Sequence, residues 1–328
     1  MKSLRLGVYS LAHAAVDFSC ALLMLGSVCP RGDAALCILL YNFCAFALQM
    51  PMGLLADRLG RCRVWASGGC LLVLCAFLLP PTAAALCAGV GNAAFHIGGG
   101  LDTLNSHRSI GPLGLFVSPG AFGLFLGGLY SGASPLWACL ALGVSALAIV
   151  LLCRGPQNAP LSLPKAGQKG IPAALAALFL VVALRSTLGL LFRFPWKGRF
   201  ALLFVLAVVL GKACGGLLAD RLGARRTAAL TLSLAALLFV FSDLPVCGLA
   251  AVFLFNATMP LTLHAAARLL PGTRGLAFGL LTFALFIGFL PVFFGLSLPL
   301  SDRALYVLGA LVSLPPLLLG LRRVQPPC

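Results

Sequence analysis

The sequence predicts an all-α integral membrane protein with twelve transmembrane helices in two pseudo-symmetric six-helix bundles, and three observations predict it. Hydrophobic residues make up 61% of the 328 and charged residues 9%, with a mean hydropathy of +1.07; a soluble domain carries about 25% charged residues. The apolar residues gather into runs of about 20, the length that crosses the hydrocarbon core of a bilayer. Finally, the string GLLADRLG stands at Gly53–Gly60 and again at Gly216–Gly223, about half the chain later, each time between two apolar runs.

Taken in order, the predicted spans are 7–29, 34–55, 64–80, 82–102, 111–131, 134–153, 171–193, 199–219, 227–244, 246–268, 274–296 and 303–321. The first resembles a signal peptide in its basic start, Lys2 and Arg5. His13 and Asp17 interrupt its apolar run and no small-x-small site follows, so it reads as an uncleaved membrane helix. Turn-forming residues separate later spans at Cys29-Pro30-Arg31-Gly32, Pro80-Pro81, Ser131 to Pro135, Pro271-Gly272 and Leu298-Pro299. The third span is short and must run nearly upright. The longest polar stretch, 154–170, contains Pro156, Pro160, Pro164, Lys165 and Lys169. It reads as a linker between bundles at 1–153 and 171–328. The even number of spans places both termini on one side.

All seven acidic residues are Asp, against 23 Lys and Arg, for a net charge of +16. A nucleic-acid-binding protein would gather such charge on a solvated face. Here the basic residues punctuate apolar runs. Sixteen fall on one side of the predicted bundle and five on the other, with Arg185 and Lys212 inside spans. The positive-inside rule makes the richer side cytoplasmic, with both termini, the linker and both GLLADRLG turns. The expected location is the cell membrane. The 13 cysteines lie mostly in apolar runs with no C-x-x-C and read as small packing residues. Cys29 and Cys37 flank a predicted outer loop, where a disulfide between them is one possibility.

In each repeated turn a Gly allows the chain to reverse with positive φ, an Asp can cap the helix that follows, and the arginines stay among the headgroups. The two copies, Gly53 to Arg63 and Gly216 to Arg226, resemble the G-x-L-x-D-R-x-G-R motif of the major facilitator superfamily. In that family it joins the second and third helices and again the eighth and ninth. Cys62 departs from the motif, and Arg63 supplies the basic residue one place later. The halves echo each other further in Asn92-Ala-Ala and Asn256-Ala-Thr, and in Arg108 and Arg274 preceding the fifth and eleventh spans. The resemblance implies parallel six-helix repeats with a solute site between them, served by alternating access. Gly123/Gly127 and Gly275/Gly279 form G-x-x-x-G pairs, which let helices approach closely. The Gly- and Pro-rich fifth span, with Ser118-Pro119-Gly120, resembles the antiporter pattern of the superfamily and leans toward drug efflux; plain helix packing explains it as well.

Polar groups at membrane depth are costly and mark functional candidates. His13 and Asp17 stand four residues apart on the first helix and share a face; they are the expected proton-coupling pair. Asn92, His96, Arg185 and Asn256 are the expected substrate-binding residues. Asp57, Arg58, Arg61, Asp220, Arg221 and Arg225 are the expected gate, with each Asp pairing across the cytoplasmic ends of the two halves. A static bridge between Asp17 and Arg185 is the rival to a proton-carrying Asp17. Asp102 reads as a cap or gate residue, Lys212 as structural, and His264 as interfacial.

No histidine–cysteine constellation suits zinc, and no P-loop or nucleophile elbow occurs. The expectation is a non-enzymatic secondary transporter, monomeric and without cofactor or metal, that moves a small organic solute with protons, efflux favoured. The alternatives are a small organic-anion transporter and an integral-membrane enzyme or non-transporting scaffold.

Overall fold

Twelve helices follow one another where apolar runs of the required length occur, as seen in a computed structural model that describes residues 2–154, 170–296 and 299–322. Except for its two ends, the predicted linker 154–170 lies outside the described residues. The helices are α1 Lys2–Arg31, α2 Ala34–Leu59, α3 Cys62–Ala76, α4 Pro81–Ser106, α5 Gly111–Leu129, α6 Leu136–Leu152, α7 Ile171–Leu191, α8 Ala201–Leu222, α9 Ala224–Phe239, α10 Pro245–Leu269, α11 Arg274–Phe293 and α12 Asp302–Arg322. Among the described residues, nine of these are long and apolar enough to cross a membrane by themselves; α3, α6 and α9 are shorter. At 15 residues α3 rises only about 22 Å. Helices α1 and α2 each widen into a π turn, at Met24–Val28 and Phe43–Ala47.

Both repeated turns reverse on a glycine of positive φ, Gly60 at 67° and Gly223 at 86°. The first turn also places Arg61 in the left-handed region, at φ 61°. The acidic residue of each turn does not cap the helix that follows: neither α3 nor α9 has a side-chain cap. The thiols of Cys29 and Cys37 are both free, so the outer-loop disulfide does not form.

By their contacts the described residues fall into two compact units that cut across the predicted bundles. One comprises the described residues of Met1–His107, Pro119–Ser162 and Gly272–Phe283; the other comprises those of Arg108–Ser118, Leu163–Pro271 and Ala284–Cys328. Each unit therefore contains half a helix from the other sequence repeat. The division of α5 falls where the helix is interrupted, at Ser118 before Pro119, a residue with no N–H to continue the ladder.

In the first unit α1 packs against α4, α6 and the second half of α5. Glycines make the close approaches. A Cβ on Gly123 or Gly127 would overlap the Ala14 or Phe18 carbonyl of α1, and one on Gly275 or Gly279 would overlap the Gly53 or Gln49 carbonyl of α2. Both G-x-x-x-G pairs thus sit at helix–helix contacts. The charged start of α1 is also buried in this unit. Arg5 donates to the Arg154 carbonyl and to Ser106 Oγ, both at 2.7 Å, and faces Asp102 Oδ1 at 3.8 Å.

The second unit buries an aromatic cluster under the connection between α7 and α8. Phe192 meets Phe239, Phe255 and Tyr306 tilted or edge-on, Phe194 stacks between Phe192 and Trp196, and Trp196 Nε1 donates to the Ser242 carbonyl at 2.8 Å.

Candidate functional site

In the first unit two i, i+4 pairs face each other. His13 and Asp17 project from α1, Asn92 and His96 from α4, and all but the partly exposed His96 are buried. Asn92 Nδ2 donates to Asp17 Oδ1 at 3.0 Å, and His13 Nε2 lies 3.2 Å from Asp17 Oδ2. His96 Nε2 is 2.8 Å from His13 Nε2 and 4.0 Å from Asp17 Oδ1. Phe95 presents its ring to both imidazoles. Gly120, at the start of the second half of α5, closes the cluster: a Cβ there would overlap His13 Nε2 and Asp17 Oδ2.

The hydrogen-bond pattern assigns the protons. His96 Nδ1 lies 2.9 Å from the Asn92 carbonyl, which can only accept, so Nδ1 carries a proton and, with the ring neutral, Nε2 presents a lone pair. His13 Nε2 is then the donor, and its N–H is shared between His96 Nε2 and Asp17 Oδ2. One N–H thus faces two acceptors. Ligand atoms of His13, Asp17 and His96 lie within 4.8 Å of one another, close enough to share a cation. A tetrahedral metal with bonds of about 2.05 Å would hold two imidazole nitrogens about 3.3 Å apart. The observed 2.8 Å is the spacing of a hydrogen bond with a proton between the rings.

Two other sites form at the repeated turns. Asp57 accepts from the Gly275 and Leu276 amides at 2.8 and 2.9 Å, the first turn of α11. Asp220 accepts from the Ile110 and Gly111 amides at 2.6 and 2.8 Å, the entry to α5. Each carboxylate serves as an N-cap for a helix of the opposite sequence repeat, where free amides and the helix dipole favour an anion. Thr273, which precedes α11, leaves its own hydroxyl unsatisfied, so Asp57 alone fills the capping role there. The expected pairing of each Asp therefore takes the form of backbone capping. The charge that acts on Asp57 is that of Arg274, beside the amides it caps, and among the described residues none of Arg58, Arg61, Arg221 and Arg225 has a recorded ion-pair partner.

The remaining expected residues have other recorded partners. Arg185, buried in the second unit, donates to Thr258 Oγ1 and Thr262 Oγ1 at 3.4 and 3.5 Å. Within its own unit Asp17 is held by His13, His96 and Asn92. Asn256 turns its amide back to the Val252 carbonyl, 2.9 Å away. Asp102 is not a helix cap; it sits buried opposite Arg5. His264 bonds the Arg108 carbonyl at 2.9 Å, and Arg274 bonds the Leu104 carbonyl at 3.0 Å. Sequence reasoning missed Gly120 as a wall of the charged cluster, and Thr258 and Thr262 as partners of Arg185. The Ser118-Pro119-Gly120 string and the hydroxyls on α10 were the available signals.

No family model and no curated protein matches the sequence. Solved structures match in fold over nearly the whole chain. The Escherichia coli fucose:proton symporter is similar with a TM-score of 0.72 at 14% identity, covering 99% of this chain and 98% of its own. The human organic anion transporter TETRAN has a TM-score of 0.68 at 16% identity, with coverage of 97% and 99%. A bacterial homologue of the iron transporter ferroportin, in an outward-facing state, has 0.63 at 18% identity, with coverage of 97% of both chains. With these likenesses, the repeated turns and the twelve-helix order, the chain has the fold of the major facilitator transporters, an integral-membrane architecture of two pseudo-symmetric six-helix bundles.

Proposed function

We propose that the chain is a secondary transporter that moves a small organic solute by alternating access, coupled to protons through Asp17, His13 and His96. The observation that carries this reading is the buried cluster of three titratable groups sharing one proton. A second proton on His96 Nε2 would set two N–H groups against each other across 2.8 Å. It must pass to Asp17 or drive the rings apart, so protonation is tied to the packing of α1 on α4. The sharing of fold with a fucose:proton symporter supports proton coupling. The glycines of α5 and the repeated turns favour efflux by antiport. The two carboxylate caps supply the gate, since each joins helices of the two repeats. We place the protein in the cell membrane as a monomer, termini in the cytoplasm, with bundles 1–153 and 171–328 as the moving parts.

Arg185 supports a second reading. It is buried, and its recorded partners are two hydroxyls at long distance, with no carboxylate within ion-pair range among the described residues. A guanidinium so placed suits an anionic solute, and a human organic anion transporter shares the fold.

The test is a thermal-shift ligand screen on purified protein, followed by uptake of the stabilising ligands in proteoliposomes with and without a pH gradient. Uptake that accumulates only with the gradient supports proton-coupled transport; selective uptake of anions that fails in Arg185→Ala supports the second reading. Ligands that bind and never cross would leave a membrane enzyme or scaffold.

A further inference from the structure

A basic groove in the second unit belongs to neither the proton cluster nor the solute path proposed above. It encloses 1020 Å³ between the start of α9, the ends of α8, α10 and α12, and the entry to α5. Arg108, Arg225, Arg226 and Arg322 line it, all exposed, over an apolar floor that includes Leu261 and Leu318. None of the four guanidiniums has a hydrogen-bond or ion-pair partner among the described residues. The one acid in the lining, Asp220, has both oxygens on the amides of Ile110 and Gly111. His264 is turned to the Arg108 carbonyl. Four cations therefore surround a cavity with no free carboxylate among the described residues to neutralise them.

We propose that this groove binds the headgroup of an anionic phospholipid, with its acyl chain over the apolar floor. Charge complementarity selects a phosphate, because guanidinium groups bind phosphate oxygens in pairs. The position selects a lipid. The arginines stand at helix ends, the level of the headgroups, and the wall below them is aliphatic. The occupant also touches the gate, because Asp220 lines the groove while holding the entry to α5. A headgroup held by these arginines packs against Ser109 and Ile110, the same segment whose amides Asp220 holds. Anionic lipid accordingly stabilises the capped state of this turn.

The test uses the purified full chain, titrated with dioctanoyl phosphatidylglycerol or dioctanoyl phosphatidylcholine while the melting temperature is read. Each basic residue near a membrane surface contributes to anion binding, and four together give a preference on the order of 1000-fold for the anionic lipid. A saturable upward shift with phosphatidylglycerol at such lower concentration, lost in Arg226→Gln/Arg322→Gln and kept in Arg226→Lys/Arg322→Lys, is the expected result. Both residues are exposed, and the lysine variant separates loss of charge from loss of fold. Hydrogen exchange at Ile110 and Gly111 should slow when the anionic lipid binds. Equal shifts with both lipids, or a shift that survives the glutamine variant, overturns the proposal. The same shift with inorganic phosphate alone overturns the lipid as occupant.

Discussion

Replacing Asp57 by Asn tests the gate at its smallest scale. The carboxylate accepts two amide N–H groups, from Gly275 and Leu276 at 2.8 and 2.9 Å, in the first turn of α11. A hydrogen bond to a charged group contributes about 1.5–3 kcal/mol, and a carboxylate at a helix N-terminus adds about 0.3–1 kcal/mol. Asn keeps the shape and one acceptor but loses the charge and the second acceptor. The expected loss is about 2–3 kcal/mol, which multiplies the open population of this turn about 30- to 150-fold. Hydrogen exchange of a peptide within Gly272–Phe283 reads that change directly, without knowledge of the solute. The amides of Gly275 and Leu276 should exchange faster by that factor, while later amides of α11 change little. Asp220→Asn should do the same to Ile110 and Gly111. Unchanged exchange at Gly275 and Leu276 would refute the capping argument, as would uniform acceleration along all of α11.

Three further outcomes follow from the same geometry. Arg5→Met leaves the buried Asp102 carboxylate unpaired, so it should cost about 3–5 kcal/mol in denaturant unfolding, with partial rescue by Asp102→Asn. Gly120→Ala forces a methyl group onto His13 and Asp17; the protein should fold with a loss of about 1–3 kcal/mol and lose gradient-driven uptake, while a fully active variant would remove Gly120 from the cluster. His107, just beyond the end of α4, has its pKa lowered from 6.5 by burial, helped by the nearby Lys2 and Arg5 and opposed by its bond to the Thr103 carbonyl. Its folded-state value lies below the unfolded one, so its contribution is present above pH 6.5 and is lost as pH falls through the folded value; a melting series against pH should show less acid loss in His107→Gln than in the native protein.

Nine of the twelve spans could be read from the sequence because each supplies enough apolar residues to cross without help from its neighbours, and the three shorter ones were legible from the turns that bound them. Their ends were less legible. The first helix begins at Lys2, well before the predicted residue 7, because Ser106 and the Arg154 carbonyl accept from Arg5 and Asp102 faces it, and hydropathy assigns no favourable partner to a charge. The charged cluster was half legible: the spacing of His13 with Asp17, and of Asn92 with His96, places each pair on one helix face. That the two faces meet, and that His96 joins the proton pair, depends on how α1 packs on α4. The partners of Asp57 and Asp220 left no trace in the sequence, because they are backbone amides and an amide has no residue type. The repeat itself still pointed to them, since Arg108 and Arg274 mark the two helix starts that the carboxylates cap.

The most direct measurement of the central claim is transport by Asp17→Asn protein in proteoliposomes under an imposed pH gradient, using a ligand taken from the thermal-shift screen. Asn at this position keeps a hydrogen-bonding side chain of the same size and removes the exchangeable charge that faces His13 and His96. The account predicts that the variant still binds and exchanges the ligand but no longer accumulates it against its gradient. Uphill accumulation driven by the pH gradient alone in Asp17→Asn protein would contradict it.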